Sequence, residues 1–428
     1  MTEQMARRLA VPPPTSAARL LAGWHDTGSP ADLAEHLQRY GPPVSRTRRP
    51  SGLIEEVTAA GLLGRGGARF PAGRKLAAVA AQHRRPIVLA NGCEGEPASR
   101  KDAALLALAP HLVLDGAVLA ARALNAVEAV ICVHEGATAV ASLAAATAGR
   151  DDPVPLSVVE IPAHYVASQE SALVRFLNTG DSRPTTTPPR PSERGIDGRP
   201  TFVANVETLA HIALIARFGA TWFRQAGTRE QPGTVLVTLD GAVRSPGVYE
   251  LDGGTPIGTA LHCAGGATAP LQAVLVGGYG GTWTDAPTVP TPPDSHAGMH
   301  TISSAPGVAV LLALPAGTCG LAQTAHLLRY LAAESARQCG PCTFGLPAIT
   351  RDFAELVTGR PAAHTTLTRL RRRLEVIPGR GACAHPDGAV RLAASALETF
   401  AADLADHLGG RPCSAAGAPP LFPLPGRH

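Results

Sequence analysis

The chain has 428 residues, a formal net charge of +4, 45% hydrophobic and 17% charged residues, and 45 glycines and 39 prolines. Its length excludes a small disulfide-stapled domain, its apolar fraction excludes wholesale disorder, and its charge surplus is no nucleic-acid footprint. Of the 38 basic residues 36 are arginine, so Lys75 and Lys101 stand out against a strong bias. Residues 1–50 read as a polar leader with one short helix near Pro30–Tyr40, and no secretory layout is present. From 51 to 230 short β-branched runs (Pro86–Ala90, Glu128–Val133, Leu156–Ile161) alternate with Ala-rich helical segments such as Pro110–Ala123 and Ala137–Ala148. That alternation predicts βαβ units and a largely parallel sheet.

Between 231 and 300 the pattern changes to strand, turn, strand, with Ser245-Pro246-Gly247 at the corner, a short helix at Pro256–Ala264 and a further strand in Leu271–Gly281. From 301 to 410 the uncharged run Thr301–Thr324 is too broken by Pro and Gly to span a membrane and reads as a buried strand and turn. Helices are predicted over Gly320–Ala333, Leu346–Val357, Thr365–Val376 and Asp387–Leu408, enough for an antiparallel four-helix bundle. A Pro-rich tail occupies 411–428, and Asp181–Pro200 and Thr284–Ala297 are further Pro-rich stretches. Eight cysteines without an export signal favour free thiols and metal ligands, and a cytoplasmic protein is expected.

Four segments could carry chemistry. Gly64-Arg65-Gly66-Gly67-Ala68-Arg69-Phe70-Pro71-Ala72-Gly73-Arg74-Lys75 lets backbone approach a ligand, offers N–H groups to phosphate and adds the Lys75 charge, although an ordinary turn has the same composition. Asn91-Gly92-Cys93-Glu94-Gly95-Glu96-Pro97-Ala98-Ser99-Arg100-Lys101-Asp102 follows the apolar strand, where open α/β sheets bind ligands; an acidic turn before a helix, with Glu96 and Asp102 at the helix start, fits as well. Asn205-Val206-Glu207-Thr208 reads as a helix start whose polar groups either cap the helix or face a ligand. Cys339-Gly340-Pro341-Cys342, with Cys383 forty-one residues on, has the spacing of cluster or metal ligands.

In this order, the four segments resemble the flavin subunit of NADH dehydrogenases, the NuoF type of respiratory complex I, with diaphorase subunits of hydrogenases and formate dehydrogenases as relatives. The resemblance covers roughly residues 50–410. It implies a Rossmann-like FMN/NADH domain, a β-grasp module of the soluble-ligand-binding type and a helical iron–sulfur domain. It implies that Gly64, Arg65, Gly66, Gly67, Phe70 and Lys75 form the loop on FMN and NADH. Asn91, Glu94 and Glu96 match the polar loop on flavin and nicotinamide, with Glu94 and Glu96 closest to catalysis, and Glu170, Asn205 and Thr208 match further cofactor contacts. Cys339, Cys342 and Cys383 match three of four cluster cysteines.

The sequence also departs from the family. The first cluster cysteine is Ala336, a glycine is Arg69, an aspartate is Cys93, and the Gly-Glu pair before Glu170 is Ser168-Gln169. One paired asparagine is Ala204, and aromatics that would stack on adenine are Leu76 and Arg190. The cluster expected is a 4Fe–4S cluster with a non-cysteine fourth ligand, His385 preferred, or a 3Fe–4S cluster. Cys413 is the other candidate, but a single helix over Asp387–Leu408 would run about 33 Å and carry it to the far end. Arg369, Arg371, Arg372 and Arg373 read as a solvated helix face or a docking patch for an acidic ferredoxin, and Cys319 reads as structural. The implied function is electron transfer from NAD(P)H through FMN to an iron–sulfur cluster and a partner iron–sulfur protein or ferredoxin, in a cytoplasmic chain able to sit on a membrane complex. The alternatives are a degenerate assembly subunit, or an FMN and iron–sulfur protein that takes its electrons from a protein donor.

Overall fold

The structure is a computed structural model that describes residues 18–42, 50–287, 300–302, 307–359 and 363–425. The remainder of the leader, of the stretch Thr284–Ala297 and of the tail lies outside the described residues. The chain divides into two compact units. The first comprises Met1–Gly95, Arg100–Val237 and Val248–Thr255, and the second Glu96–Ser99, Thr238–Gly247 and Pro256–His428.

In the first unit two short helices, α1 (Ala22–Thr27) and α2 (Leu33–Tyr40), precede α3 (Pro50–Ala60) and α4 (Ala72–Ala80). Helix α2 starts on a capping box between Asp32 and Glu35. Strand β1 (Ile87–Asn91) leads to α5 (Lys101–Leu108) and α6 (Pro110–Leu124), then β2 (Ala129–His134), α7 (Ala139–Ala148), β3 (Leu156–Ile161), α8 (Glu170–Thr179), β4 (Thr201–Asn205) and α9 (Val206–Phe223). The sheet order is β3-β2-β1-β4 with every pair parallel. β1 and β2 are buried along nearly their whole length, as expected of apolar strands covered on both faces. Helices α6 and α9 meet at Gly116, where a Cβ would stand 1.9 Å from the Leu209 carbonyl oxygen. Only glycine fits that crossing.

Asp115, on the same helix, ties the unit together from inside. Its carboxylate accepts from His36 at 2.7 Å, from Arg150 at 2.6 Å and from Arg217. Burial works to raise this carboxyl, but the His36 hydrogen bond and the Arg217 and Arg150 charges outweigh it and hold it below its usual range.

Strands β5 (Thr234–Gly241), β6 (Gly247–Asp252), β7 (Leu271–Val276), β8 (Thr282–Asp285) and β9 (Val310–Pro315) form a mixed sheet in the order β6-β5-β9-β7-β8, with α10 (Ile257–Cys263) between β6 and β7. β5 and β9 are parallel, and β7 is antiparallel to both β9 and β8. The C-terminal helices are α11 (Gly320–Ala333), α12 (Leu346–Val357), α13 (Ala363–Val376), α14 (His385–Thr399) and α15 (Ala401–Leu408). The mixed α/β fold and helical C-terminal region are those expected, with one correction: the helix expected over Asp387–Leu408 is two. Phe400 leaves helical geometry at φ −104°, ψ 34°. Its buried ring fills the space over Gly320 and packs edge-on against Trp283 at 5.2 Å. No single helix among the described residues is long and apolar enough to cross a membrane, and the apolar pair α5 and α6 is bent by 94°.

Candidate functional site

The site is built at the C-terminal ends of β1 and β4, which are neighbours in parallel register with Asn91 opposite Asn205. Open parallel sheets bind ligands at this edge. Both asparagines are pinned. Asn91 donates from Nδ2 to the Ser168 carbonyl at 2.9 Å, and its Oδ1 accepts the Cys93 N–H at 3.1 Å. Asn205 caps α9 by accepting the Glu207 N–H at 3.0 Å, and donates from Nδ2 to Asp102 at 2.7 Å.

The glycine loop is brought to the same edge. It closes through Gly64 N–H to the Phe70 carbonyl at 3.0 Å and is tied to α9 by Arg65 N–H to Thr208 Oγ1 at 2.9 Å. A Cβ on Gly66 would stand 3.4 Å from Asn205 Cβ, so the loop backbone lies directly beside that residue. Gly67 has φ 98°, and Arg69 is held at φ 52° where the family has glycine. Phe70 is 41% exposed, with the Arg74 guanidinium 5.5 Å from its ring centre. From α4, Lys75 reaches Glu170 at the start of α8 with a 2.7 Å ion pair. Leu76, one of the missing aromatics, is instead wholly buried in the core.

Beneath this surface lies a buried charge layer that sequence reasoning left out of the site. Lys101 Nζ lies 2.6 Å from Asp102, 3.0 Å from Glu207 and 3.2 Å from Asn205 Oδ1. Glu207 also accepts the Leu236 N–H at 2.9 Å, and Arg65 stands 3.8 Å from it while donating to the Thr234 carbonyl. Two cations thus face two carboxylates, which makes burial tolerable. Burial works to raise Glu207, but the Lys101 charge, the His211 ring 3.8 Å away and the Arg65 charge hold it down at about 2. Burial works to lower Lys101, and Asp102, Glu207 and Glu94 more than restore it, so it stays charged. The signal in the sequence was the rarity of lysine itself.

The two glutamates of the polar loop have different surroundings. Glu94 accepts the Asp102 and Ala103 N–H groups, each at 3.2 Å, and so caps α5. Glu96 is buried in the second unit, where it accepts the Tyr279 N–H at 2.9 Å.

Cys339, Cys342 and Cys383 lie near enough to one another in the second unit to perturb each other's thiols. Burial, then the neighbouring Cys339 and Cys383, push the Cys342 thiol up to about 12. Burial also raises Cys383, which the His385 backbone N–H partly offsets. His385 Nε2 lies 2.8 Å from the Leu331 carbonyl. A carbonyl only accepts, so Nε2 carries the proton and Nδ1 the lone pair. Arg369 and Arg373 turn onto the buried Asp352.

Residues 57–214 match the family model described as the Nuo51 FMN-binding domain, 236–281 the SLBB domain, and 322–407 the NADH-ubiquinone oxidoreductase-F iron-sulfur binding region. The chain is 31% identical over 400 residues to the F subunit of NADH-quinone oxidoreductase in Escherichia coli K12, covering 88% of this chain and 89% of that protein. The chain belongs to the NuoF family of NADH-quinone oxidoreductase subunits. This NuoF-type chain is also 30% identical to an F subunit of NADH-quinone oxidoreductase, numbered 2, in Rhizobium meliloti, over 85% of its own length and 90% of the relative. It superposes on the crystal structure of an NAD+-reducing NiFe hydrogenase in the H2-reduced state with TM-score 0.79 and 29% identity, covering 91% of this chain and 67% of that one. Every candidate flavin-site residue of the NuoF-type chain, from Gly64 to Thr208, falls in the FMN-binding segment, and Cys339, Cys342, Cys383 and His385 fall in the iron–sulfur segment.

Proposed function

We propose that this chain oxidises NADH at an FMN held over the ends of β1 and β4, and passes electrons through an iron–sulfur cluster to a partner iron–sulfur protein or ferredoxin. The observation that carries the reading is the Asn91–Asn205 register, which puts the glycine loop, the polar loop and the start of α9 at one sheet edge. The residues there fit the cofactor: an exposed Gly66, an exposed Phe70 and a partly exposed Lys75 offer backbone approach, an aromatic face and a phosphate partner. Bound FMN supplies a centre that takes two electrons as hydride and releases them one at a time.

The protein's work is position and electrostatics. Lys75 and the loop N–H groups bind phosphate, and Glu170 holds Lys75 in place. Asn91 and Asn205, locked by Ser168, Asp102 and Lys101, brace the backbone at this edge rather than offering free amides. Glu94 acts by fixing the start of α5 rather than by proton transfer, since both its oxygens accept backbone N–H groups. In the second unit Cys339, Cys342 and Cys383 would hold the cluster, and His385, whose lone pair is on Nδ1, would be the fourth ligand. As a NuoF-type protein it works at the periphery of a larger complex.

Anaerobic purification tests this. Flavin bands and a broad iron–sulfur shoulder, bleached by NADH, are expected. A protein still colourless after reconstitution with FMN, iron and sulfide would refute the proposal. Flavin that neither NADH nor NADPH bleaches would replace NADH by a protein donor.

A further inference from the structure

The second unit holds another group of metal-ligating side chains, unrelated to the iron–sulfur set. Cys319 precedes α11, His407 lies in the last turn of α15, and Cys413 lies in the segment beyond it. Their ligand atoms all lie within 4.8 Å of one another. We propose that Cys319, His407 and Cys413 bind one thiophilic divalent cation, with zinc as the chemical match.

Three observations carry this. Cys319 Sγ and His407 Nε2 are 3.8 Å apart. A tetrahedral zinc with bonds of about 2.3 Å to sulfur and about 2.0 Å to nitrogen separates those atoms by about 3.5 Å. Second, the Cys413 N–H donates to His407 Nε2 at 3.3 Å, so Nε2 bears the ring's lone pair, which a cation would take in place of that long contact. The imidazole is wholly buried, and its Nδ1 makes no hydrogen bond among the described residues, so the Nε2 side alone orients the ring. Third, the charges close: two thiolates and a neutral imidazole around a divalent cation sum to zero, the condition under which a buried ion is tolerated. Cys319 and His407 are buried and Cys413 is partly exposed.

The site is separate from the cluster ligands. Cys319 stands at the N-terminal end of α11, whose 14 residues run about 21 Å, while Cys339 follows the C-terminal end. Its role is structural. The segment after Cys413 lies along α11, with His326 bonded to the Ala418 carbonyl at 3.0 Å and Gln323 to the Pro419 carbonyl at 3.0 Å and the Leu421 N–H at 2.7 Å. A cation bound by Cys319, His407 and Cys413 would clamp the start of that segment to the helix it covers.

The test is metal analysis of the full chain, purified anaerobically under reductant without chelator from zinc-supplemented cells. One zinc per chain is expected, with a zinc-edge X-ray absorption spectrum showing a mixed sulfur and nitrogen shell. Cys413→Ala, at the least buried ligand, should lose the zinc while keeping the wild-type circular dichroism. A second background, Cys339→Ser with Cys342→Ser, removes competing thiols and should still hold one zinc, which His407→Gln then abolishes. Absence of zinc from both the wild type and that background overturns the proposal, as does zinc retained in both Cys413→Ala and His407→Gln chains. A Cys319–Cys413 disulfide in mass spectra, with no zinc after reduction, overturns it too.

Discussion

Lys101→Met removes one ammonium from the layer beneath the flavin site while keeping most of the side-chain stem. In the wild type, Glu207 titrates at about 2 against an ordinary 4.5, despite burial that works to raise it; the Lys101 charge is the largest lowering influence. A shift of that size corresponds to about 3 kcal/mol. Removing one partner of a buried ion pair generally costs about 3–5 kcal/mol, so the two routes agree. The sign with pH follows from linkage. A carboxylate whose folded pKa is depressed stabilises the fold above its unfolded value, and that contribution is lost as pH falls from 4.5 toward about 2. Without Lys101, burial dominates, Glu207 rises above its unfolded value, and its penalty is greatest at neutral pH and shrinks as acid protonates it. Urea unfolding should therefore show a loss of about 3–4 kcal/mol near neutral pH that falls by more than about 1 kcal/mol near pH 4. A penalty below about 1 kcal/mol at neutrality, or one that is flat with pH, would mean that Lys101 does not neutralise this layer. Lys101→Arg should also destabilise, because a planar guanidinium cannot reproduce three contacts of 2.6–3.2 Å made by one nitrogen.

Arg69→Gly relieves a left-handed residue at φ 52° and should stabilise the first unit by about 1 kcal/mol, seen as a raised urea midpoint; a lowered midpoint would show that the Arg69 side chain contributes more than its backbone costs. Gly116→Ala places a methyl 1.9 Å from a backbone oxygen of the facing helix, and a loss of about 2–3 kcal/mol is expected in thermal melts; a neutral outcome would contradict the close crossing of α6 and α9. His385→Ala should change the low-temperature EPR spectrum of the reduced cluster, because Nδ1 bears the lone pair in the wild type. An unchanged spectrum would remove His385 as a ligand.

The parallel sheet was legible because β1, β2 and β3 are short β-branched runs between alanine-rich helices, and a buried strand carries that composition in itself. β4 was harder. Thr201-Phe202-Val203 has strand composition, yet the segment runs straight into α9, and the Asn-Val-Glu-Thr helix-start signal masked it. The break at Phe400 had no local sign, since Glu398 to Leu408 contains neither glycine nor proline before Gly409 and reads as unbroken helix. Contacts with Gly320 and Trp283 decide it, and those are tertiary. The buried charge layer was half legible: lysine rarity pointed to Lys101, but its partner Glu207 lies 106 residues away and looked like a helix-start acid. Cys319, His407 and Cys413 were illegible as a group because they lie up to 94 residues apart in the chain and only tertiary packing brings them together.

That break also separates two phases. Within a continuous helix each residue advances the side chains by about 100°, so one inserted residue between Cys383 and Cys413 would rotate every later position against every earlier one. With the chain leaving helical geometry at Phe400, α14 and α15 keep independent rotational settings. A length change near the junction can be absorbed there, leaving the orientation of Cys383 and His385 untouched. In this chain, then, the C-terminal segment can change length without retuning the residues placed to hold the cluster.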